Sequence, residues 1–254
     1  MTKIYAIANQ KGGVGKTTTA VNLSACLAEA GKKILIVDLD PQGNTSTGLG
    51  IDKAKLKNTI YNVLLSEVKL DKILIKTKQK NLFIAPANMD LAGSEIEFIG
   101  IENREYLLKT TLSEVRNNYD FIIIDCPPSL SMLTINAMSA SDTILVPIQC
   151  EYYALEGLTQ LIHTINLVKK RLNPDLFIEG MVFTMFDART NLSIQVVEEV
   201  KHHLKENVYK TIIPRNVRLG EAPSHGLPIN LYDSTSKGAE SYRFLAEEVI
   251  NNEI

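Results

Sequence analysis

A chain of 254 residues with 45% hydrophobic and 22% charged side chains can bury a full core without disulfide or metal staples. Its 27 Lys and Arg against 29 Asp and Glu leave a formal charge of −2. That balance excludes a histone-like binder held to nucleic acid by bulk charge, so any DNA contact must come from a local patch.

The chain enters a strand-like run at residues 4–8 without signal-peptide anatomy. Further short runs rich in Ile and Val follow at 34–37, 82–85, 121–124, 143–148, 180–186 and 211–213. Each is too short for a helix and lacks polar alternation, which predicts strands buried on both faces. Between them lie segments of helical period. Residues 17–30 form an Ala-rich helix stopped by Gly31, Leu155 to Leu172 form one apolar stripe, and Ile194 to Leu204 another. Alternating strands and helices predict an α/β fold: a doubly wound, mostly parallel sheet with helices on both faces. No repeat or Pro/Ser-rich linker interrupts the chain, so residues 1–254 are read as one domain. Cys26, Cys126 and Cys150 are scattered without ligand spacing, which fits a reduced, cytoplasmic setting. No apolar run approaches the roughly 20 residues of a membrane span.

In doubly wound sheets ligands sit beyond the carboxyl ends of the strands. The first such loop is Asn9-Gln10-Lys11-Gly12-Gly13-Val14-Gly15-Lys16-Thr17-Thr18. It follows a strand and opens a helix, the context of a phosphate-binding loop. Glycines let consecutive N–H groups turn inward as an anion nest, and the helix adds its positive N-terminus. Lys16 would reach the β- and γ-phosphates and Thr17 would ligate Mg2+. Gln10 replaces the first glycine of G-x-x-x-x-G-K-[ST], and Lys11 is a second lysine in the loop. The dinucleotide pattern G-x-G-x-x-G fails at Lys16, which argues against a nicotinamide enzyme.

Two more loops supply acids at the same edge. Asp38-Leu39-Asp40-Pro41-Gln42-Gly43 follows one strand, with Asp38 and Asp40 expected on one side while the strand persists. Asp125-Cys126-Pro127-Pro128 follows another, an acid at the end of a hydrophobic strand. Beside a phosphate loop, such carboxylates suit Mg2+, which takes hard oxygen ligands and waters.

These three stretches resemble the deviant Walker A, A′ and B motifs of the ParA/MinD ATPases, a branch of the P-loop NTPases. Residues 149–158, 187–191 and 213–219 narrow the likeness to chromosomal ParA (Soj) proteins, nearly end to end. The resemblance implies a Mg2+- and ATP-dependent homodimer with two ATP molecules between protomers, hydrolysing ATP to ADP and phosphate. By matching position, Lys11 is the lysine that crosses to the partner's nucleotide, Asp40 orients the attacking water near the metal, and Asp125 holds the metal's water shell. Lys11 to Thr18 would bind the phosphates. Pro214, Arg215 and Asn216 match the segment flanking adenine, and Met185 is assigned to the same pocket.

Residues 200–218 carry five basic side chains against Glu206, a local charge of +4. The resemblance implies non-specific double-stranded DNA binding through Arg189 and Arg218, with Lys201 added from this basic stretch. It also implies a ParB-type partner and a nucleoid-associated place in the cytoplasm. A MinD-like membrane switch is the first alternative; residues 233–254, with two bases and five acids, carry −3 and would be repelled by anionic lipid. The second is a metabolic enzyme of the same fold, either an ATP-dependent synthetase or an iron–sulfur reductase, for which the cysteines lack the known arrangement.

Overall fold

The computed structural model of the chain describes residues 2–151, 154–203 and 208–251, without the side chains of 95, 154–156 and 201–203. The apolar runs become strands of one sheet: β1 (Lys3–Ile7), β2 (Ile34–Asp38), β3 (Ile75–Lys76), β4 (Leu82–Ala85), β5 (Phe121–Asp125), β6 (Thr143–Gln149), β7 (Phe177–Phe186) and β8 (Val208–Pro214). Their order is β3-β4-β2-β5-β1-β6-β7-β8. All neighbours run parallel except β3 and β4. The helices are α1 (Lys16–Glu29), α2 (Asn44–Gly48), α3 (Ile60–Leu64), α4 (Ser94–Glu97), α5 (Leu107–Ser113), α6 (Met132–Ala140), α7 (Ala154–Arg171), α8 (Asn191–His203), α9 (Val217–Glu221), α10 (Ile229–Tyr232) and α11 (Lys237–Asn251).

Successive strand residues enter opposite cores. Ile4, Ala6, Leu35, Val37, Ile122 and Ile124 pack with Leu108, Met138, Ile165 and Val197 from α5 to α8. Tyr5, Ile7, Ile34, Ile36, Phe121 and Ile123 pack with Leu23 and Leu27 of α1 and Tyr242 and Leu245 of α11. Two covered faces explain why the strands show no polar alternation. Each buried Ile or Leu contributes roughly 1.5–3 kcal/mol.

Several details differ from the sequence reading, and β8 begins at Val208 rather than Thr211. The edge strand β3 has two residues, too few to leave an apolar run. β7 begins at Phe177 rather than Gly180, because Glu179 sits inside the strand with its charge matched. Its carboxylate pairs with Lys3 at 2.8 Å and accepts the Tyr5 hydroxyl at 2.6 Å. Finally, β2 ends at Asp38, so Asp40 lies in a turn and strand period does not set its direction. There the Asp40 N–H donates to Asp38 Oδ1 at 3.3 Å, and the Gln42 N–H donates to Asp40 Oδ1 at 2.9 Å.

From β1 the chain builds one half of the sheet through β2, β3 and β4, then returns by β5 and builds the other through β6, β7 and β8. Strand order therefore reverses around β1, and a crevice opens beyond the carboxyl ends. The register pairs Asp125 with both Ile7 and Asp38. The loops after β1, β2 and β5 thus leave the sheet level and side by side.

Candidate nucleotide site

Gly13 and Gly15 adopt φ of +76° and +85°, a left-handed backbone that only glycine holds cheaply. Gly15 is the N-cap of α1 and supplies no side-chain cap, and the first turn holds no acid. The first N–H groups of α1 are therefore free for an anion. Lys16 is 6% exposed, and its Nζ donates to the Lys11 carbonyl at 3.0 Å, spanning the loop. Two struts hold the loop to the sheet. Asn9 Nδ2 donates to the Pro147 carbonyl at 2.8 Å while Asn9 Oδ1 accepts the Lys11 N–H at 3.0 Å. Thr184 Oγ1 donates to the Val14 carbonyl at 2.9 Å.

The acids meet the loop through hydroxyls. Thr17 Oγ1 and Thr45 Oγ1 both donate to Asp125 Oδ2, at 2.8 and 2.7 Å. Asp125 Oδ1 is buried without a partner among the described residues. Asp38 accepts from the Ser46 N–H and hydroxyl at 2.8 and 2.7 Å. Burial, with the Asp38 charge second, pushes the Asp125 carboxyl up to about 7; burial likewise lifts Asp38 to about 6. Burial pulls the Lys16 ammonium below its usual value, against the raising influence of Asp125, Cys126 and Asp40. Three carboxylates thus share one crevice with one buried ammonium, an excess of negative charge that a divalent cation relieves.

The donor set suits Mg2+: a threonine hydroxyl, a carboxylate oxygen with no hydrogen bond, and uncapped helix N–H groups for phosphate. Among the described residues no group of three or more His, Cys, Asp or Glu is arranged to hold a metal alone. That matches an ion carried largely by phosphate and water rather than by a protein cage. Thr17 and Asp125 of the predicted metal set lie together. Asp40 reaches them through its charge, felt by Lys16 and Asp125, and its Oδ1 is engaged by the Gln42 N–H.

Beside the loop opens a cavity of about 500 Å3 lined by Gly15, Thr18, Met185, Pro214, Arg215 and Asn216, together with Thr184, Ile213, Leu219, Glu221 and Tyr242. All four residues predicted for the adenine side line it. Met185 holds φ of +52°, an uncommon conformation outside glycine, at the point where β7 borders the cavity. Asn216 caps α9 by accepting the Arg218 N–H at 2.9 Å. Sequence reasoning missed Thr45, Ser46, Thr184 and Tyr242; none sits in a motif, and each arrives through the fold.

Lys11 Nζ turns to Glu151 Oε2 at 2.9 Å on the surface. With side chains 31% and 48% exposed, such a pair is worth under about 1 kcal/mol. Arg189 and Arg218 are exposed and lie outside the phosphate loop. The side chains of Leu155 and Lys201, and residues Leu204 and Lys205, fall outside what the structure describes. Cys26, Cys126 and Cys150 are buried and free, and no described helix is long and apolar enough to cross a membrane.

The AAA domain family matches residues 2–178. The sporulation initiation inhibitor protein Soj of Bacillus subtilis (strain 168) is 60% identical over 252 residues, covering 99% of this chain and 100% of its own length. A chromosome partitioning protein ParA of Myxococcus xanthus is 53% identical, over 99% of this chain and 89% of its own. The chain belongs to the ParA-type chromosome-partitioning ATPases. Its fold agrees: a Mycobacterium smegmatis structure described as cobyrinic acid a,c-diamide synthase with bound ADP and magnesium superposes with a TM-score of 0.89. That match has 39% identity over 100% of this chain and 96% of the other. In this ParA-type ATPase the loop after β1 meets Asp125 through Thr17 and borders the cavity beside α9 through Gly15 and Thr18.

Proposed function

We propose that the chain is an ATP-dependent dimerisation switch of chromosome or plasmid partitioning, one ATPase domain that works with ATP, Mg2+, non-specific double-stranded DNA and a ParB-type partner. The observation that carries this reading is Lys11, a second lysine on the phosphate loop whose ammonium leaves its own loop for a weak surface pair with Glu151. A cation held so loosely is free to serve a second protomer's nucleotide, where it stabilises charge that develops only in the dimer.

Within one protomer, the Gly12–Gly15 backbone, Lys16 and Thr18 bind phosphate, and the cavity from Met185 to Asn216 orients the nucleoside. Thr17 and Asp125 would hold Mg2+ and its water shell. Bound there, Mg2+ would supply charge neutralisation to the triphosphate. Asp40 accepts a hydrogen bond from, and so aligns, the attacking water. Because its role is alignment, Asp40→Ala is expected to lower single-turnover phosphate release by about 100-fold or more. ATP-dependent association should survive; unchanged phosphate release would remove Asp40 from this role.

ATP-bound dimers double the exposed arginines and would hold DNA through phosphate contacts, in the cytoplasm and on the nucleoid. Duplex retention measured with ATP, ADP and no nucleotide over a salt series tests the switch. Retention should require ATP and fall steeply with salt, and a ParB-type partner should raise turnover further. Retention independent of nucleotide would refute it. The synthase description of the M. smegmatis structure favours a second reading, ATP-driven chemistry on a small molecule, which predicts turnover indifferent to DNA and to a ParB-type protein.

A further inference from the structure

Both arginines assigned to DNA are held by carboxylates of their own chain. The Arg189 guanidinium makes a fork on Asp187, Nε to Oδ1 at 2.9 Å and Nη2 to Oδ2 at 2.7 Å. The same Oδ1 accepts the Arg189 backbone N–H at 3.0 Å, so the local turn fixes the carboxylate in place. Arg218 stands between two acids, with Nη1 2.9 Å from Glu221 Oε2 and Nε 3.4 Å from Asp233 Oδ2. Here too the acid is positioned. The Tyr232 hydroxyl donates to Glu221 Oε2 at 3.1 Å, and the Tyr232 ring stacks on His225 at 4.9 Å.

A carboxylate offers a guanidinium the same planar, two-oxygen partner that a phosphate does. A DNA phosphate must therefore displace an anion already seated at each arginine. The charges sum to zero for Arg189 with Asp187 and to −1 for Arg218 with Glu221 and Asp233. Each arginine thus meets DNA with an acid already seated on it, while the Arg215 charge also reaches Asp187.

We infer that Asp187 and Asp233, with Glu221, are competing anions that keep one protomer's DNA affinity low, so that retention needs the arginines of two protomers at once. The inference rests on the proposed assignment of Arg189 and Arg218 to DNA and of ATP to dimerisation. It supplies what a switch requires: a monomer that lets go. Such competition costs little at an exposed pair, so each carboxylate weakens binding by a small factor, and the factors multiply across the sites.

Asp187→Asn and Asp233→Asn test it, since asparagine keeps the Oδ1 acceptor and removes the charge, and neither residue lines the nucleoside cavity. Affinity of the nucleotide-free protein for a fluorescent duplex is measured at low salt. Each variant should bind about three- to fivefold tighter and the double variant about 10- to 25-fold, the range that two independent exposed ion pairs allow. The log–log salt dependence should steepen with each arginine freed, while ATP affinity stays unchanged. Glu114→Gln, at an exposed acid that closes α5 and pairs with neither arginine, makes the same change in net charge. If it tightens binding equally, or if the asparagine variants gain nothing, the competition is refuted. Arg189→Ala and Arg218→Ala separate the two failures. If they leave DNA binding intact, the assignment of DNA to these arginines falls; if they weaken it while the asparagine variants gain nothing, only the competition falls.

Discussion

Lys16→Ala should lower affinity for ATP by about 100-fold and abolish turnover. Lys16 is the buried ammonium of the crevice, its Nζ lying across the loop on the Lys11 carbonyl. Exchanging that carbonyl for phosphate oxygens replaces a neutral acceptor by a charged one, a contact worth about 1.5–3 kcal/mol, or roughly 10- to 150-fold. Alanine also leaves Asp38, Asp40 and Asp125 facing a triphosphate with no protein cation between them, which adds repulsion to the lost bond. Titration calorimetry with ATP and Mg2+ gives the affinity, and thermal unfolding without nucleotide verifies that the variant folds. A folded variant binding ATP within threefold of the parent would show that Lys16 does not reach the phosphates.

Lys11→Ala should separate binding from assembly. Its Nζ rests on Glu151 in a solvent-exposed pair, so alanine removes little from the folded monomer. The loop contacts made by the Lys11 backbone, its N–H donating to Asn9 Oδ1 and its carbonyl accepting from Lys16 Nζ, survive truncation of the side chain. ATP affinity should therefore stay within about twofold. The dimer that ATP supports in the parent should be missing in sedimentation velocity runs. Turnover should fall by roughly 1,000-fold, the scale on which a cation supplied in trans contributes to phosphoryl transfer. A variant that still dimerises with ATP would place Lys11 outside the interface.

The phosphate loop was legible because its chemistry is local. Glycines, lysine and threonine occupy consecutive positions between a strand and a helix, and left-handed Gly13 and Gly15 follow from that run. Asp125 was legible for a similar reason, as an acid closing an unbroken apolar strand. What escaped depends on long-range partners. Thr45 reaches Asp125 only because the turn after Asp38 brings the start of α2 to the carboxyl end of β5. Thr184 braces Val14 across 170 residues, a bond without a sequence signature. Glu179 lies just before the apolar run at 180–186, yet the Lys3 ammonium pairs with it and the Tyr5 hydroxyl donates to it inside β7 from two strands away. The acids on Arg189 and Arg218 were equally silent: Asp187 and Glu221 are near neighbours in sequence, but only side-chain geometry shows them seated on the guanidinium groups.

The central claim is that the Lys11 ammonium completes another protomer's phosphate site. The most direct measurement is a crystal structure of the Asp40→Ala protein with Mg2+ and ATP, slowed in hydrolysis so that the triphosphate persists. The account predicts two protomers face to face, each Lys11 Nζ within hydrogen-bond distance of the phosphates held by the other's Lys16. Finding Lys11 still on Glu151, or on the nucleotide of its own protomer, would contradict it.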